Sequence, residues 1–398
     1  MSDLIPYGRQ TIEDDDIAAV VEVLKSDFLT QGPAVAAFEK AFAHKVGARH
    51  AVAVNSGTAA LHAAMAALQI GPGDEVIVPA ITFTATANCV LFVGGTPVFA
   101  DVDPRSGLLV PGSAELKITR RTKALIAVDY AGHPCDYAAL KDLAKRHGLV
   151  LVCDACHALG AAWQGRPVGS IGRLNAFSFH PVKHVATGEG GMVTTDDDTL
   201  AERLRDFRTH GITRDARKFA GLGGGREGLE EQGPWYYEMQ QLGFNYRMSD
   251  INCALGSSQL KKLDRFVARR RAVAERYYGE LSRVPHLVLP PSDLHPATAA
   301  WRHAFHLFPA LIDFAALGRK RTQVMSELRA QGVGTQVHYI PVCLQPYYRA
   351  KLGLHPGACP GAEEFYAREL SLPMYPGLSD EEVTRVVAAV RTVLSGAP

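Results

Sequence analysis

A chain of 398 residues, 47% of them hydrophobic, is too long for one small core and has the size and composition of an enzyme of about two domains. Forty-two Lys plus Arg against 41 Asp plus Glu leave a formal net charge of +1, which excludes a field strong enough to recruit nucleic acid or an anionic membrane. No stretch of about eighteen uncharged apolar residues occurs, and the first residues, MSDLIPYGRQTIEDDD, carry no basic leader, so no membrane span is expected and the expected location is cytoplasmic.

Apolar positions at helical spacing predict helices over Glu13 to Lys25 and Pro33 to Val46. From Ala51 the pattern changes. Short apolar runs bounded by Gly, Pro or Asp (His50-AVAVN, Glu75-VIVP, Pro97-VFADV, Ala124-LIAVDY, Leu149-VLVCD) alternate with helical stretches, the first starting at Thr58. Runs buried on both faces and separated by helices predict an α/β fold with a mostly parallel sheet between helices. Thr213 to Leu242, with GLGGG and QGP and little periodicity, predicts a long loop. A helix is predicted from Ser249 to about Tyr278, followed by a proline-rich turn (Leu289-PPSDLHP). Strand-like His303-AFHLFPALI, a helix over Arg321 to Gln331, strand-like Val333-GTQVHYIP and a last helix from Ser379 complete the pattern. The expected division is a large domain over 1–255 with the N-terminal helices and a smaller α+β domain over 256–398.

The seven cysteines are scattered through apolar segments, as expected of buried free thiols in a reducing compartment. Cys153-x-x-Cys156 has no second pair to complete a zinc site, so no metal is expected.

In parallel sheets ligands collect beyond the carboxyl ends of the strands, which is where Ser56, Asp129, Asp154 and the turn holding Lys183 fall. A lysine in a glycine-rich turn is ordinarily a solvated cation, and its neighbours decide whether it does chemistry. Ser56-Gly57-Thr58 stands at a strand-to-helix junction, where Gly57 permits a tight turn and free N–H groups with the helix dipole can hold a phosphate. Asp154 ends five apolar residues, where an unpaired carboxylate is costly and calls for a cationic partner such as a protonated pyridine nitrogen. Asp129 occupies a similar place, and the residues alone do not choose between the two. His157 can bond Asp154 or a cofactor, or be a satisfied core histidine. Phe83 follows another strand and can stack on a flat ring or be ordinary core. Alternation in Phe177-Ser-Phe179 turns Ser178 away from the two aromatic side chains, towards a polar pocket.

Taken together, Phe28-LTQG, Asn55-SGTAAL, Pro79-AITFTATAN, Asp154-ACHALG, Ser178-FHPVKHVATGEGG, Gly243-FNYRMSDINCALG and Gln336-VHYIP resemble the DegT/DnrJ/EryC1/StrS family of nucleotide-sugar aminotransferases over nearly the whole chain. The resemblance implies pyridoxal-phosphate fold type I, with Lys183 as the Schiff-base lysine, Asp154 on the pyridine nitrogen, His157 beside the ring and Phe83 stacked on it. It implies phosphate binding by Ser56, Gly57, Thr58 and Ser178, joined by Asn245 from the partner of a homodimer with shared active sites. Leu29, Thr30, Gln31, His180 and His338 are the implied sugar contacts. Leu29-TQG, Val128-DYAG, Ser178 to Gly191 and Val337-HYIP look most like the pseudaminic-acid branch, which implies L-glutamate as amino donor and a UDP-linked 4-keto-6-deoxy-N-acetyl hexose as acceptor.

Other classes fare less well. A sugar 3-dehydrase of this fold has histidine where Lys183 stands. A nicotinamide oxidoreductase would need a glycine-rich turn after a buried strand, whereas Gly221-Leu-Gly-Gly-Gly follows Arg217-Lys-Phe-Ala and opens no clear helix. A non-catalytic regulator on this fold would not need Lys183, Asp154 and Ser178 together.

Overall fold

The computed structural model describes residues 4–221, 233–291 and 301–395. Of the glycine-rich run Gly221 to Gly228, only Gly221 lies within them; most of the proline-rich turn after Leu289 also lies outside.

Seven short strands make the central sheet: β1 (His50–Val54), β2 (Glu75–Pro79), β3 (Thr96–Ala100), β4 (Thr122–Val128), β5 (Val150–Asp154), β6 (Leu174–Ser178) and β7 (Gly191–Thr195). Their order is β1-β7-β6-β5-β4-β2-β3. The pairs β2–β3, β2–β4, β4–β5 and β5–β6 are parallel, while β7 runs antiparallel to both β1 and β6. The sheet is therefore mostly parallel, and its strands are Val-, Ile- and Ala-rich because both faces are covered.

Helices α1 (Asp14–Leu24) and α2 (Pro33–Val46) precede the sheet. Three aspartates fill the first turn of α1, where they complement the helix dipole, and α2 begins on Pro33 and ends on Gly47 at φ 69°. Helix α3 (Gly57–Ala67) follows β1 and α4 (Ala85–Phe92) follows β2. Because α3 is alanine-rich and almost wholly buried, it can lie close against the sheet. Helices α5 (Tyr137–His147) and α6 (Asp198–Phe207) also flank the sheet strands in the chain.

The helix expected from Ser249 to Tyr278 is two helices, α7 (Asp250–Lys261) and α8 (Leu263–Leu281), parted at Lys262, whose φ and ψ are −96° and −5°. Lys262 turns inward there to meet Asp15 at 2.5 Å and Asp16 at 2.8 Å, tying α1 to the junction. A three-stranded antiparallel sheet follows, β8 (Leu287–Val288), β9 (Phe308–Ile312) and β10 (Glu369–Leu372), in the order β8-β9-β10. The strand expected from His303 starts only at Phe308, because the preceding backbone is committed elsewhere: Ala304 N–H donates to Gly132 and His306 N–H to Ala131. Val333 to Pro341 is not a strand either. It makes bridges at Val333 with Ile5 and at Gln336 with Ser371, while the edge of β9 is taken by β10, whose strand character the sequence reading missed. Helices α9 (Arg321–Ala330) and α10 (Asp380–Ser395) close the chain.

Buried apolar side chains form two clusters. One surrounds the seven-stranded sheet; the other lies among α8, the small sheet, α9 and α10. Among the described residues no helix is long and apolar enough to cross a membrane, and no group of three or more His, Cys, Asp or Glu is placed to hold a metal. All seven cysteines are free.

Candidate active site

The carboxyl ends of β1, β2, β5 and β6 open on one cavity of about 420 Å³. Ser56, Gly57 and Thr58 line it at the start of α3, Asp154 and His157 beyond β5, and Ser178, His180 and Lys183 beyond β6. Phe83 and His338 complete the predicted residues found there. The sequence places them because strands end at Gly, Asp or Ser and the parallel sheet brings those ends to one edge.

At the start of α3, Ser56 caps the helix by accepting the Ala59 N–H at 3.1 Å. Gly57 is required for space: a Cβ there would stand 2.7 Å from the Cβ of Ser178, so helix start and strand end meet with no room for a side chain. Gly191 is similarly confined, a Cβ falling 2.4 Å from the Ser56 carbonyl oxygen.

Asp154 is buried, and both its oxygens are engaged by neutral donors. Thr86 Oγ1 donates to Oδ2 at 2.7 Å and the Cys156 N–H donates to Oδ1 at 3.2 Å. Since Thr86 spends its proton on Asp154, the 2.7 Å contact with Thr82 has Thr82 as donor, giving a short relay from Thr82 through Thr86 to the carboxylate. Among the described residues no cationic side chain forms an ion pair with Asp154. The other candidate, Asp129, is fully buried outside the cavity lining and fully occupied. Tyr137 donates to its two oxygens at 2.7 and 2.8 Å and the Cys135 N–H to Oδ1 at 2.9 Å, and burial pushes its carboxyl up to about 7.

Lys183 sits half-buried in the turn after β6, with Nζ 3.4 Å from His306 Nε2. Burial pulls its ammonium down from the usual lysine range and Arg270 adds to this, while Cys156 and Asp154 oppose it. His157 accepts or donates at 3.2 Å to the Tyr339 hydroxyl, and its ring lies 4.4 Å from that of His306. Burial holds the His157 ring well below the usual histidine range, with Lys183 next. Among the described residues its Nδ1 is buried without a partner.

Phe83 is 58% exposed with its ring 6.1 Å from that of Tyr339, so it is a cavity wall and not core. His338 is held from behind. Its N–H donates to Glu369 at 2.8 Å, its Nδ1 meets Ser371 Oγ at 2.9 Å, and Tyr130 donates to its carbonyl. The remaining predicted residues are not brought to this cavity within one chain. Asn245 is exposed, its carbonyl accepting from Asn55 Nδ2 at 3.4 Å. Leu29, Thr30 and Gln31 lie between α1 and α2; Gln31 lines a separate hollow with Arg208 and Arg247. His306, Tyr339, Thr86 and Cys156, absent from the expected set, do line the cavity. Only Thr86 carried a local signal, since Thr82 and Thr86 stand four apart beyond a strand end.

This donor set suits pyridoxal phosphate. A buried carboxylate with neutral donors and no protein cation matches a protonated ring nitrogen. The orphaned His157 Nδ1 and a glycine-started helix N-terminus supply further polar atoms for ring and phosphate.

Fold and site together define a pyridoxal-phosphate-dependent transferase of fold type I. The chain belongs to the DegT/DnrJ/EryC1/StrS aminotransferase family, whose model matches residues 10–391. It is 42% identical to the spore coat polysaccharide biosynthesis protein SpsC of Bacillus subtilis over 394 residues, covering 99% of this chain and 98% of SpsC. Its fold is similar to that of Helicobacter pylori PseC, an aminotransferase involved in the biosynthesis of pseudaminic acid, with a TM-score of 0.88 at 31% identity over 99% of this chain and 100% of PseC. Spr1654 of Streptococcus pneumoniae, whose structures include PLP and PMP forms, matches with a TM-score of 0.87 at 30% identity over 99% of each chain. The protein is thus a pyridoxal-phosphate-dependent sugar aminotransferase.

Proposed function

We propose that this aminotransferase moves the amino group of L-glutamate to C4 of a UDP-4-keto-6-deoxy-N-acetyl hexose, giving UDP-4-amino-4,6-dideoxy-N-acetyl-beta-L-altrosamine for pseudaminic acid synthesis in the cytoplasm. The observation that carries the chemistry is the shared cavity, in which an amine with a lowered proton affinity and a buried carboxylate free of cationic side chains face the same space. The choice of sugar rests on the likeness to PseC and on the Val128-DYAG and Val337-HYIP motifs.

Pyridoxal phosphate, when bound, supplies the carbonyl that carries the amino group and the ring that delocalises the electron pair. Asp154, oriented by the Thr86 hydroxyl and the Cys156 N–H, would pair with the cofactor's ring nitrogen. Ser56, Gly57, Thr58 and Ser178, which line the cavity at the start of α3 and the end of β6, would hold the phosphate, and Phe83 on the cavity wall would be available to the ring. Lys183 Nζ, uncharged for part of its time, takes the proton from the Cα of glutamate and in the reverse sense delivers one to C4 of the sugar. His157, whose ring burial holds below the usual histidine range, would orient the cofactor ring. His180 and His338, which line the cavity, would contact the sugar, and Leu29, Thr30 and Gln31 are further candidate sugar contacts that lie outside this cavity within one chain.

Asn245 acts in trans in this reading, as an exposed residue outside its own cavity would on the phosphate of a partner's site. Mixing Lys183→Ala and Asn245→Ala chains, each inactive as a homodimer, should restore activity in the heterodimer; no recovery would count against a shared site. The visible spectrum of the purified enzyme tests the chemistry. L-Glutamate should bleach the yellow form, and the UDP-4-keto sugar should restore it; restoration only by another nucleotide sugar would move the assignment. The higher identity to SpsC favours one such second reading, another nucleotide-4-keto-6-deoxy-sugar aminotransferase for a surface polysaccharide.

A further inference from the structure

His306 reaches the cavity from the loop that leads into β9, far in sequence from Lys183, and is the polar side chain that the free ε-amino group meets at 3.4 Å. Its position is firmly set. The backbone N–H donates to Ala131 at 2.8 Å, and the carbonyl accepts from Nη1 of the fully buried Arg270 at 3.1 Å. That same Nη1 holds the carbonyls of Phe305 and Met374. The ring is 4% exposed and wedged between His157, at 4.4 Å, and His184, at 5.6 Å.

Among the described residues, His306 Nδ1 is buried without a partner. A proton on Nδ1 would leave an orphaned buried N–H, whereas a proton on Nε2 leaves only an unused lone pair, the milder defect. With the ring proton on Nε2, that N–H points at the lone pair of an uncharged lysine amine. An ammonium at Nζ would force the proton to the orphaned nitrogen. The neighbours divide: Arg270 behind disfavours an ammonium and the neutral rings of His157, His184 and His338 bring no negative charge, while Cys156 and Asp154 favour one. Two carboxylates line the cavity among the described residues, Asp154 and Glu189; Asp154 is committed to Thr86 and Cys156.

We propose that His306 is a positioning residue that holds Lys183, whenever the lysine is free, as an uncharged amine through Nε2–H to Nζ. This rests on Lys183 being the lysine that takes and returns the proton. During the reaction the amine must wait unprotonated until a Cα proton is presented, and a fixed neutral donor on its lone pair keeps it so without the charge that a carboxylate partner would induce.

The test is trace acylation of the full-length enzyme loaded with pyridoxamine phosphate, the form in which Lys183 is free. Acetic anhydride is used from about pH 6 to 10, and Lys183 acetylation is read by mass spectrometry. His306→Asp should raise the midpoint of Lys183 reactivity by about one pH unit or more, so that below the midpoint labelling falls about tenfold. His306→Gln, whose carbonyl can accept from an ammonium, should raise it by less. Equal midpoints in wild type and in both folded variants overturn the proposal, since a purely structural role would change melting and leave the midpoint alone. If His306→Asp does not fold, the comparison of wild type with His306→Gln decides in the same way. Borohydride reduction of each protein with pyridoxal phosphate separately checks the underlying reading. An adduct on Lys183 sustains it, and an adduct elsewhere overturns both that reading and the proposal.

Discussion

Asp154 is 5% exposed with Thr86 on one oxygen and the Cys156 amide on the other, so the site can be weakened without touching the carboxylate itself. Thr86→Val keeps the shape of the side chain and removes the hydroxyl, leaving a buried acceptor short of a donor at a cost of about 1–3 kcal/mol. The expected outcome is roughly tenfold or more weaker retention of pyridoxal phosphate, measured by titrating its absorbance, with Thr86→Ser near wild type. At Lys183, substitution by arginine keeps a positive charge and loses the amine, so turnover should fall by more than about a thousandfold in a steady-state assay. Lys183 and Asp154 were legible as candidates because Asp154 ends β5 and Lys183 stands in the turn after β6, features written in a handful of adjacent residues, although those residues left Asp129 equally eligible. Thr86 and His306 were not, since they meet Asp154 and Lys183 across 68 and 123 residues of chain.

At the scale of elements, the start of α3 and the end of β6 touch so closely that Gly57 has no alternative. Gly57→Ala pushes a methyl to 2.7 Å from the Ser178 Cβ and must move one element. It should lower thermal stability by about 1–3 kcal/mol and reduce cofactor retention, both read from a melting curve with and without pyridoxal phosphate. Helix α2 is capped from a distance. Gly32 offers no side chain, and Asp250 at the start of α7 accepts the N–H groups of Gly32 and Ala34 at 2.8 and 3.0 Å. Asp250→Ala should cost about 0.5–2 kcal/mol in chemical denaturation, and a loss below experimental error would show the cap to be idle. Helices α1 and α2 could be read from periodicity alone. The break at Lys262 and the strand β10 could not, because each depends on what packs against it: the acidic cluster of α1 for one, the free edge of β9 for the other.

Across the whole molecule, burial keeps many histidines neutral. His62 is pulled down to about 4 and His338 to about 3, and burial draws His157, His184, His303 and His306 well below the usual range. In the unfolded chain each takes up a proton near pH 6.5, so below that the unfolded state binds more protons and stability is lost as the pH falls towards about 4. Asp129 and Glu369, raised by burial to about 7 and about 8, act in the opposite sense, their contribution being present below about pH 4 and lost as the pH rises through those values. Six histidines outweigh two acids. The melting temperature should therefore drop between pH 6.5 and 4, each uncompensated histidine contributing on the order of 1 kcal/mol per pH unit, and a flat profile would contradict this balance. The sequence by itself determined the α/β pattern, the strand ends where ligands gather, and the lysine and carboxylate candidates, because apolar periodicity and chain breaks are properties of neighbouring residues. Only the tertiary structure decided that Asp154 and not Asp129 lines the cavity, that His306 meets Lys183, and that Asn245 lies outside its own chain's cavity. Those outcomes depend on which distant backbone and side chains satisfy each buried polar group, and packing settles that through contacts that no local pattern encodes.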